Sequence, residues 1–321
     1  MTSEPLLSIC IPTYNRVTYL KKCIDSIIQQ DGFHEIEIVV SDNNSSDETQ
    51  KICLSYQEQY SNIKYFRNEK NLIDQNFNLV LRRATGKLRK LTNDTVIYRP
   101  SAIRYMLNVV KSNLVEKPQI YFWSKGLKKN SEDQIIIDNI DDYIDTIGVD
   151  LTWIGSVAIW LDDCDDLELL VLHSNSRLAQ VPFLIENFRK RKKAIVYNKI
   201  IMDSIDVNKK NISYGLHKVF YDNFTGFVKT YVELGVVSNA TYENLRKKLL
   251  LDFFCYWVAN YKVENDKYIF SDEDLEKLVE NSYCNERYFN SYKVKLILIS
   301  FKLLIKKLIK KMVNLISYDK K

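Results

Sequence analysis

Short apolar runs and helix-spaced stripes take turns along the first part of the chain. Residues 6–13 form a β-rich apolar run, and residues 16–30 carry Leu20, Ile24, Ile27 and Ile28 on one helical stripe. A second apolar run opens at Ile36. Residues 47–60 then read as a helix, with Ser45 or Ser46 able to cap it and Asp47 and Glu48 in its first turn. Residues 63–66 read as a third strand and 74–84 as a third helix that Gly86 ends. Residues 88–92 read as a weak fourth strand, because Arg89 and Lys90 carry more charge than a central strand should hold. A helix from Pro100 to Val110 and a strand over 119–123 complete the series. This alternation predicts an α/β fold: a Rossmann-like, mostly parallel sheet with helices on both faces.

Beyond this the pattern changes. Residues 125–150 are polar and acid-rich and read as a loop or lid, 153–161 as a strand returning to the sheet, and 162–168 as a dense acidic stretch. Helices are expected over 176–191, 221–234 and 242–261, the last with Leu245, Leu249, Phe253 and Trp257 at steps of four. The pattern divides the chain into segments 1–125 and 126–225, a helical extension over 226–290 and a basic amphipathic helix over 291–321.

Ligands of an open parallel sheet bind beyond the carboxyl ends of its strands. The four loops there are polar: Pro12-Thr13-Tyr14-Asn15-Arg16, Ser41-Asp42-Asn43-Asn44-Ser45-Ser46-Asp47, Arg67-Asn68-Glu69-Lys70-Asn71 and Asn93-Asp94-Thr95. Together they predict a small-molecule site rich in hydrogen-bonding groups. The chain has neither G-x-G-x-x-G nor G-x-x-x-x-G-K-[ST], so dinucleotide and Walker-type phosphate binding are not indicated. Asp42 could accept from a base N–H or from ribose hydroxyls. Arg16 and Arg67 could face a base or phosphates, and Asp94 a ribose or a divalent ion. Taken singly, each also reads as a turn residue or a solvated charge.

Three stretches carry a resemblance: Leu-Ser-Ile-Cys-Ile-Pro-Thr-Tyr-Asn-Arg at 7–16, Glu-Ile-Val-Val-Ser-Asp-Asn-Asn-Ser-Ser-Asp-Glu-Thr at 37–49, and Asn-Ile-Lys-Tyr-Phe-Arg-Asn-Glu-Lys-Asn-Leu at 62–72. Residues 7–100 resemble the nucleotide-binding half of the family-2 glycosyltransferases, which have the GT-A fold and include builders of bacterial cell-surface polysaccharides. The resemblance implies that Pro12, Thr13 and Asn15 line the nucleoside and that Asp42 binds the base. It puts Asn93-Asp94-Thr95 at the family's DxD-like motif. A typical member ends that motif with a carboxylate that holds Mn²⁺ or Mg²⁺; here the position is Thr95, a poor ligand for a hard cation. Metal is then left to Asp94 and the diphosphate, or a basic side chain replaces it.

The implied reaction is sugar transfer from a nucleoside-diphosphate donor, UDP-linked, to a lipid-linked or growing glycan, with inversion. A degenerate member that binds without turnover is the alternative that Thr95 keeps open. Inversion needs a base for the acceptor hydroxyl. The acceptor-side candidates are Asp162, Asp163, Asp165, Asp166, His173 and Glu186, with Asp163 and Asp166 preferred. The segment 177–183 resembles the family's acceptor-side helix start, where some relatives carry an acidic residue at the place of Pro182.

Charge adds a partner. Net charge is +5, yet residues 291–321 hold nine Lys and one Asp, so the body before them is slightly acidic. That distribution argues against nucleic acid and suits an anionic membrane surface. Lys295, Lys302, Lys306 and Lys310 fall on one stripe of a helix whose apolar face holds Leu296, Ile297, Phe301, Leu304, Ile305 and Leu308. The rival reading is a helix packed on the protein's own core or on a second subunit. With no signal-peptide pattern and no uncharged run of about 20 residues, the expected location is the cytoplasm, peripheral on the inner face of the cell membrane. The six cysteines lack metal-ligand spacing and read as reduced thiols.

Overall fold

The computed structural model describes residues 4–122, 133–205, 210–211, 214–263, 268–269, 271–272 and 274–318. The chain divides into two compact units, Met1–Asp206 and Val207–Lys321. The boundary expected at residue 125 therefore falls inside the first unit, and most of the expected 125–150 lid region has regular structure. The first part of that region, with Trp123, lies outside the described residues.

The first unit is built on a five-stranded sheet in the order β3-β2-β1-β4-β8. Strands β1 (Leu7–Thr13), β2 (Ile36–Asp42), β3 (Ile63–Arg67) and β4 (Leu88–Leu91) run parallel, and β8 (Ala158–Trp160) pairs antiparallel with β4. Every residue of β1 and β2 is buried, as strands covered on both faces require. Helices α1 (Val17–Ile28), α2 (Thr49–Gln59) and α3 (Gln75–Arg83) connect them. Leu20, Cys23, Ile24 and Ile27 form the buried stripe of α1. Strand β5 (Val96–Tyr98) and helix α4 (Ala102–Ser112) follow. A second sheet, in the order β6-β9-β7, joins β6 (Gln119–Phe122), β7 (Gln134–Ile137) and β9 (Ala194–Tyr197). Between β7 and β9 lie α5 (Ile140–Ile147), α6 (Glu168–Leu172) and α7 (Gln180–Arg191), and β10 (Met202–Ser204) returns to pair with β5.

Strand β4 departs from its expected weakness. It is internal, and both of its charges are buried: Arg89 donates to the carbonyls of Gly86 and Leu81, and Lys90 Nζ to the carbonyls of Leu91 (3.0 Å) and Gly155 (2.7 Å). Carbonyl acceptors satisfy the N–H groups, which removes most of the penalty that counted against the strand. Burial pulls the Lys90 amine down to about 7. The strand expected over 153–161 shrinks to three residues behind a short 3₁₀ turn, Ile154–Ser156.

The second unit is mostly helical. A π-helix, His217–Thr225, runs into α8 (Gly226–Glu233); α9 (Asn239–Lys248) runs through a second π segment, Leu249–Phe254, into α10 (Cys255–Val263). A two-residue β11 (Lys210–Asn211) pairs with β12 (Tyr268–Ile269). Helices α11 (Leu275–Tyr283) and α12 (Phe289–Tyr318) end the chain. The start of α12 belongs to the core: Phe289, Tyr292 and Leu296 are buried, and Lys295 pairs with Asp252 at 2.7 Å. Leu296 and Lys295 thus leave the predicted membrane face. Beyond them Ile297, Leu298, Phe301, Leu304, Ile305, Leu308 and Ile309 are exposed. The Lys310 side chain lies outside the described residues. Among the described residues, no helix is long and apolar enough to cross a membrane.

Candidate functional site

The polar loops at the carboxyl edge are tied to one another. Asn15 (φ 51°) and Asn44 (φ 69°) take left-handed backbone positions, which asparagine tolerates better than most residues. The Asn15 N–H donates to Ser45 Oγ at 2.9 Å, and Asn15 Oδ1 accepts from the Ser46 N–H at 2.7 Å. Asp47 binds the Val17 N–H at the head of α1 and the Thr49 N–H at the head of α2, both at 3.1 Å. Ser45 and Ser46, expected as helix caps, instead clasp the first loop.

Asp94 lies where β1 and β4 end together. It is 3% exposed, and Thr13 Oγ1 donates to its Oδ2 at 2.8 Å. Arg16 Nη1 donates to its Oδ1 at 3.2 Å. Burial pushes this carboxyl above its usual range, and Arg16 opposes the shift. Beside it, Asn93 Oδ1 is buried without a hydrogen-bond partner. An orphan acceptor next to a carboxylate is matched by a hydroxyl-bearing ligand or an ordered water.

The other predicted nucleotide residues take different places. Pro12 pairs in register with Ser41 inside the sheet. Asp42 is fully buried; its oxygens accept from the Ser45 N–H (2.8 Å) and the Tyr65 hydroxyl (2.7 Å). Its oxygens have acceptor sites left, but with the residue fully buried a base could reach Asp42 only if the side chains around it opened. Arg67 binds Asn44 Oδ1 (2.8 Å) and the Ser45 carbonyl (3.0 Å), so it braces the second loop. Beneath these loops Asn43, Asn68, Asn76, Ser41 and Arg83 form a polar network; Asn76 Nδ2 donates to the Ser41 carbonyl and Arg83 Nη2 to Asn68 Oδ1.

The two carboxylates preferred as general bases lie at the other edge of the sheet. Trp160 pairs with Leu88, the first residue of β4, so the chain after Trp160 leaves from the amino edge of the sheet, opposite Asp94. There Asp163 is fully buried, accepting from the Trp160 N–H at 3.0 Å and pairing with Arg191 at 2.6 Å. Asp166 pairs with Lys190 at 2.8 Å and Asp162 with Lys117 at 2.5 Å. The acidic run is a 3₁₀ helix, Leu161–Leu167, that anchors to α7. These carboxylates are engaged in ion pairs there and do not face the polar loops of the carboxyl edge.

A different carboxylate joins the two halves of this unit. Asp74, in the turn after β3, meets Arg177 at 3.4 Å just ahead of α7. Burial raises its carboxyl and Arg177 lowers it again. Nearby, Gln75 reaches Ser174 Oγ at 3.4 Å, and Gln180 Nε2 donates to the Thr152 carbonyl at 2.6 Å. Arg177 opens the segment 177–183 singled out above, but Asp74 does not stand out in the sequence, because its partner lies about a hundred residues away. The only local signal is that Asp74 precedes a helix.

Comparison with known proteins agrees with this architecture. The family described as glycosyl transferase family 2 matches residues 8–150. A GalNAc(5)-diNAcBac-PP-undecaprenol beta-1,3-glucosyltransferase of Campylobacter jejuni is 36% identical over 141 residues, 40% of this chain and 45% of that protein. Abequosyltransferase RfbV of Salmonella typhimurium is 43% identical over 84 residues, 25% of each chain. The chain thus spans less than half the length of these relatives. A crystal structure of S. aureus TarS 1-349 in complex with UDP superposes with a TM-score of 0.58 at 14% identity, over 94% of this chain and 90% of that one. This likeness, together with the parallel sheet and its loops, is that of a GT-A fold. Residues 8–150, a little under half of the chain, are similar to glycosyl transferase family 2.

Proposed function

We propose that the protein transfers a sugar, with inversion, from a nucleoside-diphosphate donor to a lipid-linked or growing surface-glycan acceptor. The observation that carries this reading is the clasp of three carboxyl-edge loops around Asp94 within a family-2 domain. The buried acceptor on Asn93 suits a hydroxyl-rich ligand. Support for a uridine donor comes from the fold shared with the UDP-bound TarS structure. Support for a lipid-linked acceptor comes from the printed activity of the Campylobacter relative.

In an inverting displacement the acceptor oxygen attacks the anomeric carbon as the diphosphate leaves, and a base takes the acceptor proton. Asp74 replaces Asp163 and Asp166 as the candidate base: it lies at the carboxyl edge, is mostly buried, and faces the segment that opens α7. Asp42 and Arg67 shape the base-binding loop. The exposed apolar length of α12, with Lys302 and Lys306 among it, is proposed to lie in an anionic membrane interface on the cytoplasmic side, where a lipid-linked acceptor is presented.

The test is a donor screen with the purified full chain and extracted membrane lipids, following nucleoside diphosphate release. Release with one nucleotide sugar, lost in Asp74→Asn without loss of donor binding, supports the reading. Donor binding without release under every lipid condition supports a non-catalytic binding member, for which Thr95 in place of a carboxylate is the favouring observation.

A further inference from the structure

The strand end that family members with a DxD-like motif use for Mn²⁺ or Mg²⁺ is built here around one carboxylate. Asn93 and Thr95 flank Asp94 with neutral oxygens only. Both Asp94 oxygens are engaged, one by the Thr13 hydroxyl at 2.8 Å and the other by Arg16 at 3.2 Å. A hard dication is held by charged oxygen ligands in competition with its own hydration shell. To reach Asp94 it would have to displace a guanidinium and then sit beside that positive charge. Among the described residues, no group of three or more His, Cys, Asp and Glu is placed to hold a metal. The residues present do not fit a divalent cation.

They fit another arrangement. The Arg16 side chain is 54% exposed while that of Asp94 is 5% exposed, so the guanidinium forms the outer surface of the pair. Arg16 also heads α1, and its carbonyl accepts the Tyr19 and Leu20 N–H groups, which fixes its backbone. On its other side Asn15 is clamped by Ser45 and Ser46. The base of this side chain is therefore rigid and its tip faces solvent at the carboxyl edge. A guanidinium is always charged, is weakly hydrated, and binds phosphate oxygens through two parallel N–H groups.

Resting on the donor site proposed above, we infer that Arg16, and not a divalent cation, neutralises the donor's diphosphate, and that Asp94 holds it in place until the diphosphate arrives. The exchange breaks no covalent bond and moves no proton. The guanidinium trades a carboxylate oxygen for phosphate oxygens, and Thr13 keeps its bond to the other oxygen of Asp94.

The test is calorimetry on the full chain with UDP, GDP, CDP and dTDP, each beside its own nucleoside, in EDTA and in Mn²⁺. The expected result is a diphosphate that binds equally well in both conditions. Arg16→Gln keeps an N–H for Asp94 but removes the charge. It should weaken the diphosphate by about tenfold or more, the usual scale for a charge-assisted bond, and leave the nucleoside unchanged. Arg16→Lys should recover part of the loss. The unchanged nucleoside also shows that the variant is folded. Binding that requires Mn²⁺, or an Arg16→Gln protein with an unaltered ratio of diphosphate to nucleoside affinity, overturns the inference while leaving the donor site intact. Failure of every diphosphate in both conditions overturns the donor site as well.

Discussion

Replacing Ile297, Phe301 and Leu308 together by Asn should release the protein from anionic vesicles without unfolding it. These side chains lie at helical steps of four and seven on α12 and are 68%, 62% and 52% exposed. Full burial of a large aliphatic or aromatic side chain is worth about 1.5–3 kcal/mol. With half to two-thirds of each surface still open, roughly 1–2 kcal/mol remains for each to gain at an interface. The triple variant then loses about 3–5 kcal/mol, a fall in partitioning of about a hundredfold to several thousandfold. Lys302 and Lys306 add about 1 kcal/mol each at an anionic surface, a part that salt should screen. Exposed positions of this kind change stability by only about 0.5 kcal/mol. The assay is co-sedimentation with phosphatidylglycerol vesicles at low and high salt, with a thermal melt as control. A triple variant that sediments like the wild type would refute the reasoning. If instead the variant turns a dimer into a monomer and vesicle binding stays as it was, the face is a subunit contact.

Three further outcomes are expected. Asp42→Asn leaves the Ser45 N–H or the Tyr65 hydroxyl facing an amide donor, so it should lower stability by about 1–3 kcal/mol in a denaturant titration, whatever it does to nucleotide affinity. Asp163→Ala strips a buried partner from Arg191 and should cost about 3–5 kcal/mol while leaving donor affinity at permissive temperature unchanged; a folded variant with selectively lost affinity would return Asp163 to the site. Lys90 has its amine depressed from 10.5 to about 7 in the folded chain, so the unfolded state binds more protons above neutrality and stability rises with pH. Between pH 7 and 8.5 the wild type should gain about 1–2 kcal/mol relative to Lys90→Met, a difference in which the cysteines, common to both proteins, cancel; parallel pH profiles for the two proteins would contradict this.

The elements that the sequence makes legible are those whose side-chain pattern answers to one environment. The runs at β1 and β2 are buried throughout, and the Leu20, Ile24 and Ile27 stripe of α1 lies against them. Strand β4 forms where it is expected but looks weak in the sequence, because propensity counts charges and not their acceptors; Arg89 and Lys90 find backbone carbonyls that only the tertiary fold supplies. Strands β5, β8 and β10 are three residues each, too short for any periodicity to show. The helix expected over 242–261 runs through a π segment, Leu249–Phe254, whose wider turn moves the buried positions from the expected Phe253 and Trp257, which are only partly buried, to Phe254, Cys255, Val258 and Ala259.

At the site, the loop residues were legible by position, as the polar segments after consecutive strands. Their individual tasks were not. Asp42 and Arg67 spend their hydrogen bonds within the loop, and Arg16 settles on Asp94, 78 residues away. The acidic run at 162–168 drew attention by composition. The antiparallel direction of β8 sends it to the opposite edge, and nothing local in the sequence encodes that direction. Asp74 has the converse property: nothing in its neighbourhood marks it, since its partner Arg177 comes from another part of the fold.

Sugar transfer at the Asp94 clasp is the proposed reaction. The most direct measurement follows a radiolabelled nucleotide sugar, incubated with the full chain and membrane lipid extract, while free nucleoside diphosphate is counted in parallel. The expected result is label entering the lipid phase in step with nucleotide release, and loss of both when Asp94→Asn removes the charge that holds Arg16. Label that stays on the nucleotide with every donor tried, or transfer that Asp94→Asn leaves unchanged, would contradict it.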